Sequence, residues 1–192
     1  MYMELQKEDL YRTRRAQKFA LWLGMIGMFM LFASLSSAFI VYTASGVDKG
    51  IKTILPSAFI YSTVVIVASS ITVHFANQAA KNEEFSKQRN LLLVTTVLGV
   101  AFFALQLYAW SVLIDRGIYF ISSNASQSFV YVLTGMHLAH IIGGLGVLIR
   151  CLIGIRKIPQ GRNLHRMELA VIFWHFLDLI WIYLYVFLLL YQ

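Results

Sequence analysis

Four ionisable side chains stand inside strongly apolar stretches of the chain, where charge is costly. His137 and His140 lie three residues apart in one stretch, and His175 and Asp178 lie three residues apart in the next. Residues at i and i+3 share one face of a helix, so the two members of each pair can act together. Imidazole and carboxylate groups bind metals, carry protons or form buried hydrogen bonds. The chemistry therefore depends on what these groups pair with.

Five apolar stretches are long enough to cross a bilayer, which takes about 20 helical residues. They run approximately over 19–43, 55–75, 91–113, 128–150 and 169–191. Hydrophobic residues make up 59% of the 192-residue chain and charged residues 13%, about half the charged share of soluble domains. The composition predicts an all-α fold: one transmembrane domain over residues 1–192, built as a five-helix bundle. Residues 1–18 are expected to form a short amphipathic or irregular lead-in.

The chain has a net charge of +7, and its basic residues are distributed unevenly between the two sides of the predicted membrane. The N-terminal segment, the second loop and the fourth loop hold 13 of the 16 Lys and Arg residues. Positive charge favours the cytoplasmic side, so the N-terminus is expected in the cytoplasm and the C-terminus outside. Basic residues placed beside hydrophobic spans indicate a membrane surface rather than nucleic acid as the partner.

The two ionisable pairs are expected at overlapping depths. His137 and His140 lie roughly 14–18 Å from the outer end of span 4, and His175 and Asp178 roughly 9–14 Å from the inner end of span 5. A polar cluster between two packed helices follows, in which Asp178 accepts a hydrogen bond from a His. Three interpretations remain open: a structural network, a metal or haem site, and a proton relay.

Two further sets of residues are candidates for contacts. Gly135, Ala139 and Gly143 recur every four residues and form a smooth ridge for helix packing. A second set lies at the predicted cytoplasmic edge. It is explained either by the positive-inside topology alone or by a binding site for anionic lipid head groups. Its members are Arg150, Arg156, Lys157, Arg166 and Glu168.

Two motifs carry a family resemblance. The segment from Glu168 to Trp181, with Trp-His-Phe-Leu-Asp at 174–178, resembles the signature of haem–copper oxidase subunit III. The span-4 segment Thr-Gly-Met-His-Leu-Ala-His at 134–140 is similar to that family's Thr-Gly-Phe-His-Gly-x-His. Weaker similarities occur at Ser69-Ser70 and around Gln106. Together the motifs reach across nearly the whole chain.

The resemblance implies the five-helix bacterial form of a non-catalytic subunit of a cytochrome c or quinol oxidase. It implies direct packing on subunit I, association with subunits II and IV, and possible membership of a respiratory supercomplex in the bacterial cytoplasmic (inner) membrane. It also implies bound phospholipid and support of proton uptake and complex stability. No catalytic centre, haem or copper is expected in this chain, since these belong to partner subunits.

Two positions depart from the family pattern. Where members often carry a buried Glu in the first of these five helices, this chain has Met28, and a Glu often found in span 3 is Ala109. Asp178 is therefore the only acidic group expected deep in the membrane, and any role that depends on the absent carboxylates is not carried over. Alternative functions are an independent bis-His haem-binding redox protein and a small transporter or channel. The latter needs polar residues on several spans, and spans 1–3 offer few.

Overall fold

The structure is a computed structural model that describes residues 2–45, 55–121, 124–155 and 159–191, with the backbone alone for 2–7, 9 and 10. Its elements are five α-helices: α1 (Tyr2–Ala44), α2 (Ala58–Lys81), α3 (Phe85–Asp115), α4 (Ala125–Gly154) and α5 (Gln160–Leu190). All five are long and apolar enough to cross a membrane. The all-α, polytopic prediction is confirmed. Arg156 and Lys157 of the predicted lipid set lie outside the described residues.

The first helix differs from expectation, because it begins at Tyr2 and continues unbroken into the membrane. Of the two forms expected for the lead-in, amphipathic or irregular, the irregular one is wrong, because residues 2–18 are helical and form an extension that continues into the rest of α1. Two contacts stabilise this extension. Arg12 and Glu8, one turn apart, pair at 2.9 Å, and the guanidinium of Arg14 donates to the carbonyl of Gly161 at 2.9 Å. The second contact attaches the extension to the start of α5.

The last helix also begins earlier than expected, at Gln160 directly after Pro159. Its first turns are held by polar contacts to the α2–α3 hairpin, which apolarity alone does not reveal. The amide of Gln160 donates to the carbonyl of Ala80 at 2.8 Å. Asn163 and Gln88, both buried, exchange amide hydrogen bonds at 3.2 and 3.5 Å. Glu168 therefore lies in the third turn of α5 rather than opening it.

The helices pack as a bundle with α5 at its centre. α2 and α3 form an antiparallel hairpin through a tight turn, in which Glu83 has a φ of 59°. α5 packs on both α2 and α4, and α3 packs on α4. Among the helices that the structure describes, α1 contacts α4 and α5 alone, so it lies at the edge of the bundle. The fully buried rings of Trp174, Trp181 and Phe102 mark the core between α3 and α5.

Candidate functional site

Hydroxyl groups of α2 hold the two tryptophans of the α5 motif. Nε1 of Trp174 donates to Oγ of Ser69 at 2.9 Å, and Nε1 of Trp181 donates to Oγ1 of Thr63 at 3.0 Å. Both indoles are fully buried, and a buried indole N–H needs an acceptor. The later residue of α5, Trp181, is bonded to the earlier residue of α2, Thr63, as expected for two antiparallel helices. They fix the depth at which α5 packs on α2.

The ring of Trp174 fills the space where α3 and α4 meet α5. A Cβ atom added to Gly99 of α3 would lie 2.9 Å from this ring, and one added to Gly144 of α4 would lie 3.1 Å from it. Leucine methyl groups lie closer still, Leu145 at 2.8 Å from the first position and Leu177 at 2.9 Å from the second. A side chain at either glycine would therefore force the indole or a leucine to move, and four helices meet around Trp174.

His175 and Asp178 lie beside this core, turned toward α2. The hydroxyl of Ser70 lies 2.5 Å from Nδ1 of His175. The same nitrogen lies 4.0 Å from Oδ2 of Asp178, beyond hydrogen-bond distance. Asp178 is only 4% exposed. Neither of its oxygens meets full hydrogen-bond geometry with the described residues, but the hydroxyl of Ser70 lies close enough to interact with its carboxyl group. The two groups form a close but unbonded acid–imidazole pair.

A shallow pocket opens at His175 on the α2–α5 surface. It encloses about 350 Å³ and is lined by Ser70, His74 and His175 together with apolar side chains of α2. The rings of His74 and His175 are 6.2 Å apart between centroids. Nε2 of His74 lies 3.3 Å from Nε2 of the exposed Gln78, one turn nearer the predicted cytoplasmic end of α2. The packing of α2 on α5 brings His74 into this group.

His137 lies elsewhere, in an aromatic enclosure. It is fully buried, and its ring centroid lies 5.2, 5.9 and 6.3 Å from those of Trp181, Phe102 and Phe32. Within the described part of the chain, neither of its ring nitrogens has a hydrogen-bond partner. An imidazole in this setting contributes packing through its ring edges and faces.

His140 is partly exposed on the α1 side of α4. Its Nδ1 lies 2.7 Å from the carbonyl oxygen of Met136, one turn earlier, and its ring lies 5.7 Å from that of Phe32. A carbonyl only accepts, so Nδ1 is the nitrogen that carries the proton. The four predicted residues are thus divided among three surroundings, rather than gathered between α4 and α5. The reason is rotational: the Trp–hydroxyl contacts turn the His175–Asp178 face of α5 toward α2.

The predicted packing ridge on α4 lies mostly away from the bundle. A Cβ added to Gly143 would meet no atom within 4 Å, and Ala139 is exposed. Gly135 approaches the ring of Trp110 at an ordinary 3.6 Å. Within this chain the close approach falls instead on Gly144, one residue further on. That Gly135, Ala139 and Gly143 serve helix packing stays a prediction.

Several polar contacts between α2, α3 and α4 were not foreseen. Gln106 donates to Ser62 at 2.9 Å, and the hydroxyls of Thr72 and Thr95 lie 2.8 Å apart. The indole of Trp110 donates to Thr134 at 3.1 Å. Ser and Thr hydroxyls can bond to their own helix, and these also do so. Sequence alone therefore gave little signal that they also join helices.

An open cleft of about 550 Å³ lies between α1, α4 and α5 at the predicted cytoplasmic edge. Arg150 and Arg166 of the predicted lipid set line it, and its other walls are mainly apolar. Glu168 lies close by but pairs with Lys18 of α1 at 3.2 Å. Three of the five predicted residues thus lie at one edge of the bundle, while Arg156 and Lys157 are outside the described residues.

The titratable groups are dispersed rather than convergent. Within the described ranges, no group of three or more His, Cys, Asp and Glu side chains is placed to hold a metal ion. The polar side chains of the α5 motif face neighbouring helices. Its apolar side chains are divided between the core, where Leu177 and Ile180 are buried, and the surface, where Leu179 is exposed. The fold and these contacts define a multi-pass membrane protein whose buried polar groups join its helices.

Comparisons with known proteins identify the family. The family model of cytochrome c oxidase subunit III matches residues 11–192. Cytochrome c oxidase subunit 3 of Bacillus subtilis is 31% identical over 169 residues, covering 85% of this chain and 81% of the relative. That of Synechocystis is 27% identical over 87% of this chain and 68% of the relative. The chain belongs to the cytochrome c oxidase subunit III family, and the resemblance drawn from the two motifs is confirmed. It is therefore a subunit of a haem–copper oxidase.

Proposed function

We propose that this chain is the non-catalytic subunit III of a respiratory terminal oxidase in a bacterial cytoplasmic membrane. It packs directly on subunit I and assembles with subunits II and IV. The complex reduces oxygen and pumps protons, while haem and copper reside in partner subunits. The observation that supports this most is the use of the family motif: the indoles of Trp174 and Trp181 are bonded to Ser69 and Thr63 of α2. The motif thus serves the architecture of the bundle.

Co-purification tests this proposal. A tagged chain extracted in mild detergent is expected to carry the other oxidase subunits, identified by mass spectrometry, together with their haem spectrum. The chain freed from those subunits is expected to show no haem band in a reduced-minus-oxidised spectrum. A haem band from the chain alone would instead favour the bis-His redox protein. Recovery of the chain without any oxidase subunit would contradict the assembly part.

Phospholipid binding is the second part of the proposal, and the α1–α4–α5 cleft supports it. Arg150 and Arg166 offer two cations at the membrane edge, and Leu21, Val147 and Phe173 offer an apolar wall below them. Arg suits a phosphate because its planar guanidinium can donate two parallel hydrogen bonds. An anionic phospholipid therefore fits with its phosphate at the arginines and an acyl chain along the wall.

Lipid analysis of purified complexes tests this part. Arg150→Gln with Arg166→Gln is expected to lower the anionic phospholipid retained through delipidating washes, measured by mass spectrometry. Arg89→Gln is the matched control, because Arg89 is exposed on the same predicted side and lines none of these cavities. Equal lipid retention in the double variant and the control would refute the assignment of this cleft.

Support of proton uptake and of complex stability completes the proposal. Stability is supported by the buried hydrogen bonds that join several pairs of helices. In membrane proteins one such bond contributes about 0.6 kcal/mol on average and about 1.7 kcal/mol at most. Proton uptake is supported by the titratable groups that line the α2–α5 surface near the predicted cytoplasmic end of α2. An oxidase depleted of this chain is expected to turn over with a shorter active lifetime, and an undiminished lifetime would refute this part.

A further inference from the structure

A line of polar groups runs along the α2–α5 surface from the predicted cytoplasmic end of α2 toward the middle of the membrane. Gln78 is exposed three residues before the end of α2, and its amide lies 3.3 Å from His74. The ring of His74 is 6.2 Å from that of His175 between centroids, and Asp178 lies 4.0 Å beyond Nδ1 of His175. Ser70, level with His175, lies eleven residues before the end of α2, or about 16 Å along the helix.

The cost of an unpaired charge determines how many protons the His175–Asp178 pair holds. An unpaired carboxylate is strongly disfavoured in a membrane interior, and the nearby hydroxyl of Ser70 brings no positive charge to Asp178. Two arrangements avoid an unpaired charge: a neutral carboxylic acid beside a neutral imidazole, or a carboxylate beside an imidazolium. Both contain one proton more than a carboxylate with a neutral imidazole. The His175–Asp178 pair thus holds one proton in either arrangement.

No other charge competes for that proton at this depth. α3 carries no Asp, Glu, Lys, Arg or His between Arg89 and Asp115, and α1 carries none from Phe19 to Ala44. On α4 the titratable imidazoles are His137, enclosed by aromatic rings against Trp181, and His140 on the α1 side. On α2 the group facing the pair is His74, which reaches it through the open pocket.

We infer that His175 and Asp178 form a proton-binding site inside the membrane, which exchanges its proton with the cytoplasmic side through His74. This deepens the proton-uptake part of the proposed function and rests on it for its role in the oxidase. The site itself depends only on the contacts above.

The proton transfer changes only O–H and N–H bonds. The proton leaves Asp178 Oδ2 or the ring of His175, binds a ring nitrogen of His74, and passes from there to water at the exposed end of the line. The amide of Gln78 orients the His74 ring and carries no proton itself. Since 4.0 Å exceeds hydrogen-bond length, the transfer between Asp178 and His175 requires rotation of the His175 ring. The open pocket between His74 and His175 leaves room for a water that carries the proton between these two rings.

Infrared difference spectroscopy of the intact, purified oxidase on transfer from H₂O to D₂O tests this site without turnover. We expect an exchangeable carboxylic-acid or imidazolium band that is lost in Asp178→Asn. In His175→Gln an imidazolium band is lost, whereas a carboxylic-acid band shifts in frequency because the acid loses its imidazole neighbour. In His74→Phe the band is retained, but its exchange is slowed by about tenfold or more, because exchange of a buried group needs an accessible route. His140→Phe is the matched control, since it removes an imidazole of a spanning helix on the α1 side of the bundle, away from the α2–α5 surface.

Two results would overturn the inference. One is a spectrum of Asp178→Asn that retains every exchangeable band of the parent, and the other is parental exchange in His74→Phe. If Asp178→Asn does not assemble, the exchangeable bands of His175→Gln are compared with those of the parent instead, and an unchanged spectrum overturns the inference. Failure of the oxidase assignment would be seen separately, as absence of the other subunits from the purified sample.

Discussion

Replacing Ser69 by Ala tests whether the hydroxyls of α2 hold α5 in place. The substitution removes the acceptor of the Trp174 indole N–H, which lies 2.9 Å away at a position where both residues are fully buried. The lost Oγ–H bond to the carbonyl of Ile66 is local and leaves that carbonyl in its helical bond. A buried donor without an acceptor costs about 1–3 kcal/mol, and measured interhelical bonds in membranes favour the lower half of that range. We expect a loss of about 1–1.5 kcal/mol, or roughly a tenfold shift toward the unfolded state.

The assay is unfolding of the purified chain in mixed micelles of mild detergent and sodium dodecyl sulfate, followed by tryptophan fluorescence. Ser34→Ala is the control, because Ser34 makes the same kind of bond to its own helix, at 2.8 Å to Leu31, on an exposed face. The control is expected to change stability by less than about 0.5 kcal/mol.

A double-mutant cycle with Trp174→Phe isolates the bond itself. If the indole and hydroxyl interact as described, Ser69→Ala is expected to cost about 0.6–1.7 kcal/mol less in the Phe background. Additive effects in the cycle, or equal losses for Ser69→Ala and Ser34→Ala, would refute the idea that this hydroxyl joins α2 to α5.

Three further predictions follow from packing and charge. Gly144→Ala is expected to destabilise the chain by about 1–3 kcal/mol through overpacking against Trp174. Gly143→Ala is the control, because the added methyl group would lie in open space and should change the unfolding midpoint little. Equal effects of the two substitutions would contradict the placement of α4. Asp178→Leu is expected to lower the yield of assembled oxidase more than it alters the oxidase spectrum, because it leaves an imidazole without its acid neighbour; wild-type yield and stability would count against a structural role. Glu168→Gln is expected to cost only about 0–1 kcal/mol, since its ion pair with Lys18 is substantially exposed, and the effect should shrink further in high salt; a large, salt-independent loss would show that the pair is more than a surface contact.

Much of the fold could be predicted from sequence, because the physical constraint is strong. A bilayer forces spanning segments to satisfy their backbone bonds within helices, so five apolar stretches translate directly into five helices. The ends were less predictable. The α1 extension and the first turns of α5 are polar, and they are helical because Arg14 contacts Gly161 and Asn163 contacts Gln88. A hydropathy pattern does not predict those contacts.

The candidate site was predicted in its residues but not in its arrangement. His175 and Asp178 stood out because charge is rare in apolar stretches, yet depth alone matched them equally well to any neighbouring helix. The choice of α2 comes from Ser69 and Thr63, whose hydroxyls look the same in sequence whether they bond locally or to another helix. Likewise, the spacing of Gly135 and Gly143 suggested a ridge, while the position of one indole decided that Gly144 makes the close approach.

The convergence of four helices on Trp174 has a consequence for biogenesis. Translation produces α2, α3 and α4 before α5, so the bundle is without its central side chain until the last helix is inserted. The glycines at 99 and 144 place no side chain in the space that the indole occupies. A chain that stops before Trp174 therefore lacks the side chain around which α2, α3 and α4 pack. Insertion of the final helix completes the core of the bundle.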